Sequence, residues 1–193
     1  MLTIVWDIDD VLNNLMHEWF HKKWLLEHPN CHCGYKDLTI NPPHEILKVT
    51  KEEYLCSLDE FRMSEMMNLQ PNQEVLSWFE EHGKKYRHLA LTAVPGSTAD
   101  LSAFWLIRHF GKWIRSFNFV PSERASDCSS LYYDRTKYDF LKWLEKADIL
   151  IDDNSINIKS AQESGITTYL VSRPWNSGGV ALTEVLRELT TVK

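Results

Sequence analysis

Excess positive charge is the first thing this sequence lacks. Its 193 residues carry 21 Lys and Arg against 27 Asp and Glu, a formal net charge of -6. Nucleic acid polymers and membrane surfaces are bound through clustered Lys and Arg, so neither is expected as a partner. A small phosphorylated substrate stays within reach, because one metal ion and one Lys can offset its charge locally. No apolar run approaches the length that spans a bilayer. The first strand is expected to begin within two residues of Met1, which leaves no room for the basic and apolar parts of a signal peptide, and the expected compartment is the cytoplasm. Internal repeats and low-complexity tracts are also absent. Cysteine is scarce: Cys31, Cys33, Cys56 and Cys128 fit no disulfide framework and are expected as reduced thiols. His28, Cys31, His32 and Cys33 do cluster, yet a zinc site there needs Cys56 or another distant ligand, and the plainer reading is a loop.

What the chain does have is enough apolar material for one sizeable core with a small appended element, at 44% hydrophobic and 25% charged residues. Apolar or β-branched stretches bounded by turn signals predict five strands, at 2 to 6, 87 to 92, 116 to 120, 148 to 152 and 166 to 171. Helical patterns lie between them: Val75, Leu76 and Phe79 before Gly83; Leu101, Phe104 and Trp105 before Gly111; Phe140, Leu141 and Leu144; and about 155 to 163, ending at Gly165. A last helix carries Leu182, Val185, Leu186 and Leu189 at i, i+3, i+4, i+7 spacing. Strands alternating with helices predict an α/β fold with a doubly wound, Rossmann-like parallel sheet covered on both faces. Residues 13–72 exceed what one crossover needs. The amphipathic set Leu12, Leu15, Met16, Trp19 and Phe20 leads into them, and they pass the Pro42-Pro43 turn and continue helically at 45 to 47 and 52 to 67. This predicts a small helical cap inserted after the first strand, with residues 1–12 and 73–193 forming the core domain.

The first strand, Thr3 to Trp6, runs directly into Asp7-Ile8-Asp9-Asp10. Three carboxylates beside a core repel one another and must be hydrated, paired or held by a cation, and a divalent metal is the natural solution. In open parallel sheets ligands bind at the carboxyl ends of the strands. That rule brings together Asp7 and Asp9, Thr92 after Leu89-Ala90-Leu91, Asp152 and Asp153 after Ile149-Leu150-Ile151, and Lys137, fifteen positions before Asp152 at a helix start. Each has a plainer reading: Asp152-Asp153-Asn154 as a helix cap, Thr92 as an ordinary strand-end residue, Lys137 as a solvated charge. Jointly the plain readings require four coincidences at one rim.

Those four segments, in this order, resemble the motifs of the haloacid dehalogenase (HAD) superfamily, and the resemblance spans roughly residues 2 to 172. It implies an aspartyl-phosphate phosphatase. Asp7 would be the nucleophile and Asp9 the general acid and base, with Thr92 and Lys137 on the phosphoryl oxygens. Magnesium would be held by Asp7, the backbone carbonyl of Asp9 and Asp152, with Asp153 as a ligand or a partner of one. Lys142 and Lys146 share the helix with Lys137, whose place at the helix start favours it. The cap length, Tyr35-Lys36-Asp37-Leu38-Thr39 and Arg173-Pro174-Trp175-Asn176 look like the 5'(3')-deoxyribonucleotidase branch. That likeness implies a nucleoside monophosphate whose base lies against Trp19 or Tyr35, core packing of both rings being the plainer reading. A phosphatase of another small metabolite, such as a sugar phosphate, and a catalytically silent binding protein are the alternatives.

Overall fold

The computed structural model describes residues 1–122, 124 and 133–192; Cys128 lies outside them. Five parallel strands, β1 (Thr3–Trp6), β2 (Arg87–Val94), β3 (Ile114–Pro121), β4 (Ile149–Asp152) and β5 (Thr167–Leu170), form one sheet in the order β3-β2-β1-β4-β5. Each predicted strand is present. β2 runs two residues past Thr92, because Ala93 and Val94 keep pairing with Val120 and Pro121.

Alternation along the strands sorts the core into two layers. Ile4, Trp6, Ala90, Ile149 and Ile151 face one side, and Val5, Leu91, Leu150 and Val120 the other. Helices α5 (Gln73–His82), α6 (Ala99–Phe110) and α9 (Leu182–Leu189) cover the first face; α7 (Lys137–Leu144) and α8 (Ser155–Glu163) cover the second. The spaced set on α9, Leu182, Val185, Leu186 and Leu189, is buried throughout. Within the α6 pattern Phe104 is the exception: it points outward, 59% exposed, while Trp105 and Phe110 fill the core. The α8 helix stops at Gly165, whose φ of +77° suits a residue without Cβ.

The segment after β1 is helical: α1 (Leu15–Trp19), a π turn (Phe20–Trp24), α2 (Leu25–Glu27), α3 (His44–Leu47) and α4 (Lys51–Glu65). Thr50 caps α4, its hydroxyl accepting from the Glu53 amide while Glu53 reaches back to the Thr50 amide. The chain leaves and re-enters the sheet side by side, since Asn72 donates to the carbonyls of Leu12 and Val11 and accepts from Asn14. Trp19, Phe20, Tyr54 and Phe61 from this insertion join the same apolar cluster as Trp6, Phe79 and Trp105. Trp105 also donates its indole N–H to the Leu69 carbonyl at 2.8 Å. Among the described residues no helix is long and apolar enough to cross a membrane.

Candidate active site

The carboxyl edge of the sheet carries the acidic residues because β1 and β4 are neighbours whose chains depart to opposite sides, the topological switch point of such sheets. Asp7 continues β1, donating its amide N–H to the Ile151 carbonyl of β4. Asp10 follows in a left-handed turn, φ 61°, which directs the backbone away from the sheet. Lys137 is the first residue of α7, placed there by the Thr136 cap, whose hydroxyl accepts from the Asp139 amide.

Lys137 joins the two strands. Its Nζ lies 2.8 Å from Asp7 Oδ1 and 2.7 Å from Asp152 Oδ2, in a fully enclosed position. Burial alone would lower its pKa, but the Asp152 and Asp7 carboxylates outweigh that and raise it, so it stays a cation. Asp7, Asp152 and Asp153 are all buried and offer carboxylate oxygens within 4.8 Å of one another. Three carboxylates against one ammonium leave uncompensated negative charge. Burial pushes Asp7 well above the usual carboxylate range, and burial with the nearby Asp152 and Asp10 charges pushes Asp153 to about 7. An all-oxygen set with excess negative charge fits a hard divalent cation such as magnesium.

The individual oxygens are used unevenly. Asp152 is the most heavily engaged, accepting from Lys137, Asn157 and the Asn154 amide. Asp7 Oδ1 accepts from the Ile8 amide at 2.7 Å, and Asp153 Oδ2 from Trp175 Nε1 at 2.6 Å. Asp7 Oδ2 and Asp153 Oδ1 have no hydrogen-bond partner among the described residues and are the oxygens open to a metal or substrate.

Asp7 and Asp153 line a cavity of ≈ 290 Å³ that also includes Asp9, Thr92, Lys137 and Asn157. Its roof is one face of α4, with Lys51, Tyr54, Leu55, Leu58 and Arg62, and Leu15, Met16 and Pro42 close the side. The structure therefore brings Asp7, Asp9, Thr92, Lys137, Asp152 and Asp153 to one place. It does not bring Trp19 or Tyr35 there. Trp19 is fully buried, its indole N–H on Ser57 Oγ and its ring against Trp24 and Tyr54, which makes it a core residue. Tyr35 packs beside His17, Phe20 and Trp175, outside the cavity wall. Both rings are expected at the substrate only through the likeness to the deoxyribonucleotidase branch, and their packing follows the plainer reading given beside it.

Sequence reasoning missed Arg62, Arg124, Asn13 and Asn157. Arg62 Nη2 meets Asp9 Oδ2 at 2.8 Å and its Nη1 meets Asp59 Oδ1 at 3.1 Å, while Arg124 grips both oxygens of Asp59. Asn13 Nδ2 holds Asp9 Oδ1 at 3.2 Å. The segment Arg173 to Asn176 braces the site from behind: Arg173 Nε donates to the Asp10 carbonyl, Trp175 to Asp153, and Asn176 Nδ2 to the Asp153 carbonyl. The cysteine loop holds Cys31 and Cys33 with Sγ atoms 3.3 Å apart and both free. Among the described residues the Asp7, Asp152 and Asp153 group is the one set that could hold a metal.

No protein-family model matches the chain, and no curated protein matches it in sequence. Solved structures do match in fold. A haloacid dehalogenase-like hydrolase from Streptococcus pneumoniae has TM-score 0.63 at 16% identity, covering 97% of this chain and 91% of its own. A HAD-superfamily hydrolase of subfamily IA from Geobacter sulfurreducens PCA has TM-score 0.54 at 9% identity, covering 98% and 96%. An L-2-haloacid dehalogenase has TM-score 0.53 at 13% identity, covering 98% and 99%. The chain is thus a five-stranded α/β protein with the fold of HAD-superfamily hydrolases.

Proposed function

We propose that this protein is a magnesium-dependent phosphomonoester hydrolase acting through an aspartyl-phosphate on a small phosphorylated metabolite. The observation that carries this reading is the pairing at one cavity floor of Asp7, with an unengaged Oδ2, and Asp9 two residues on, beside Lys137 and the carboxylate group. Asp7 Oδ2 attacks phosphorus, and Lys137 with the Thr92 hydroxyl holds the phosphoryl oxygens where charge develops. Asp9 gives a proton to the departing oxygen and then takes one from the water that cleaves the aspartyl-phosphate. Asp7, Asp152, Asp153 and the Asp9 backbone carbonyl would hold magnesium, which would supply charge neutralisation at the transferring phosphoryl group.

Nucleoside monophosphates are one substrate class under this reading, supported by Tyr54, the aromatic residue on the wall, and by Leu55 and Leu58 beside it as an apolar face for a base. Sugar phosphates and other small esters fit the same floor equally. The deciding experiment is phosphate release from a panel of nucleoside monophosphates, deoxynucleotides and sugar phosphates, with magnesium and with chelator. The expected outcome is metal-dependent release that falls on the order of a thousandfold or more in Asp7→Asn, whose amide keeps the shape and loses the nucleophile. Full activity in that variant would remove the assignment, and no release from any substrate would favour a catalytically silent binding protein.

A further inference from the structure

Arg62 crosses from α4 to Asp9 and uses its donors unevenly. The side-on fork of a guanidinium, Nε with Nη2, suits a carboxylate gripped by two parallel bonds. Arg124 uses that fork fully, with Nε 2.5 Å and Nη2 2.8 Å from the two oxygens of Asp59. On Arg62 the same fork is half used: Nη2 is on Asp9, and Nε is buried without a partner among the described residues. Arg62 itself is 6% exposed and lines the cavity. A buried donor left unpaired is costly, and a second carboxylate oxygen is the group that would complete it.

Asp9 shows where such a group would enter. Both of its carboxylate oxygens are occupied, Oδ1 by Asn13 and Oδ2 by Arg62. To serve a departing ester oxygen, Asp9 must release one donor. Asn13 is fixed, since its Oδ1 accepts the amides of Asp10 and Leu15. Arg62, on the inserted helices, keeps Nη1 on Asp59 when Nη2 leaves Asp9, and so is the donor able to yield. We propose that it yields to the substrate: a carboxylate on the carbon bearing the ester oxygen takes the Arg62 fork, freeing Asp9 Oδ2 for the ester oxygen. The substrate class is then the phosphorylated 2-hydroxy acids.

The rest of the α4 face agrees. Lys51, Leu55, Leu58 and Arg62 stand at i, i+4, i+7 and i+11 on the wall. Lys51 has no ion-pair partner among the described residues, and a cation in the first turn opposes the helix dipole, so helix stability does not account for it. A cationic wall suits an anionic leaving group. This inference rests on the phosphomonoesterase reading and uses its chemistry. Asp7 Oδ2 bonds to phosphorus, the ester P–O bond breaks with its electron pair on the leaving oxygen, Asp9 supplies the proton, and the hydroxy acid departs. Water then returns Asp7 and inorganic phosphate.

The test compares 2-phosphoglycerate with glycerol 2-phosphate, which differ by carboxylate against hydroxymethyl on the ester carbon, using acetyl phosphate as a reference. With the full chain and magnesium, kcat/KM for 2-phosphoglycerate should exceed that for glycerol 2-phosphate by at least about tenfold. In Arg62→Gln the ratio should collapse towards one, with Arg62→Lys between, folding being checked by circular dichroism. If a variant fails to fold, the wild-type ratio decides. A wild-type ratio near one, or a preference that survives folded Arg62→Gln, overturns the inference and leaves the phosphatase standing. Release from none of the three compounds overturns this inference alone if the nucleotide and sugar phosphate panel is hydrolysed, and overturns the phosphatase reading with it if that panel is untouched as well.

Discussion

His88 shows how a single buried residue ties the sheet to its covering helices. Trp6 on β1 donates its indole N–H to His88 Nδ1 at 3.1 Å, which places the ring proton on Nε2, 2.8 Å from the Gly83 carbonyl at the end of α5. The ring is satisfied only when neutral, and burial lowers its pKa to about 4, partly opposed by the Gly83 bond. The sign follows from linkage. The unfolded ring takes a proton near pH 6.5 and the folded one only near 4, so stability is full above 6.5 and declines as pH falls between these values. From pH 7 to pH 5 the loss from this residue is about 2 kcal/mol. Asp10 and Asp153, both raised to about 7 chiefly by burial, titrate in the same interval with the opposite sign. The informative measurement is therefore the difference between wild type and His88→Gln in urea unfolding at both pH values. Gln keeps one acceptor and one donor, and its stability should fall less on acidification. Equal pH dependence would show that His88 is protonated in place.

At the scale of elements, what was legible in the sequence depended on how local its cause was. Strands bounded by turns, the acidic run after β1, the helix start at Lys137 and the acidic end of β4 are each set within a few residues of chain, and each stands where its pattern put it. Arg62 and Arg124 were invisible because their partners, Asp9 and Asp59, lie 53 and 65 residues away. The Arg173-Pro174-Trp175-Asn176 segment was visible as a likeness, but its work was not: it ties the loop after β5 to the turns after β1 and β4. Groups that orient a metal-binding carboxylate raise affinity by fixing its geometry. Trp175→Phe keeps the ring and removes the donor to Asp153. Magnesium affinity measured by titration calorimetry should weaken about tenfold. An unchanged affinity would mean that Asp153 is positioned by β4 alone.

For the whole molecule, the decisive feature is that the inserted helices have no core of their own. Phe61 of α4 and Trp19 of α1 sit in the same apolar cluster as Trp6 of β1 and Phe79 of α5, and Asn72 and Trp105 tie the insertion's return to the sheet side. An insertion that shares its core with the sheet cannot unfold without exposing the sheet's own face, so the two should melt as one cooperative unit. Phe61, 1% exposed, gives the test. Phe61→Ala removes a ring from the shared cluster and should cost about 3–5 kcal/mol. In urea, tryptophan fluorescence and far-ultraviolet circular dichroism should shift together to one lower midpoint, and amide exchange in β1 should quicken in step with exchange in α4. Loss of α4 protection with β1 protection kept would show that the insertion opens independently, and the Asp9 to Arg62 contact would then be made and broken by that opening.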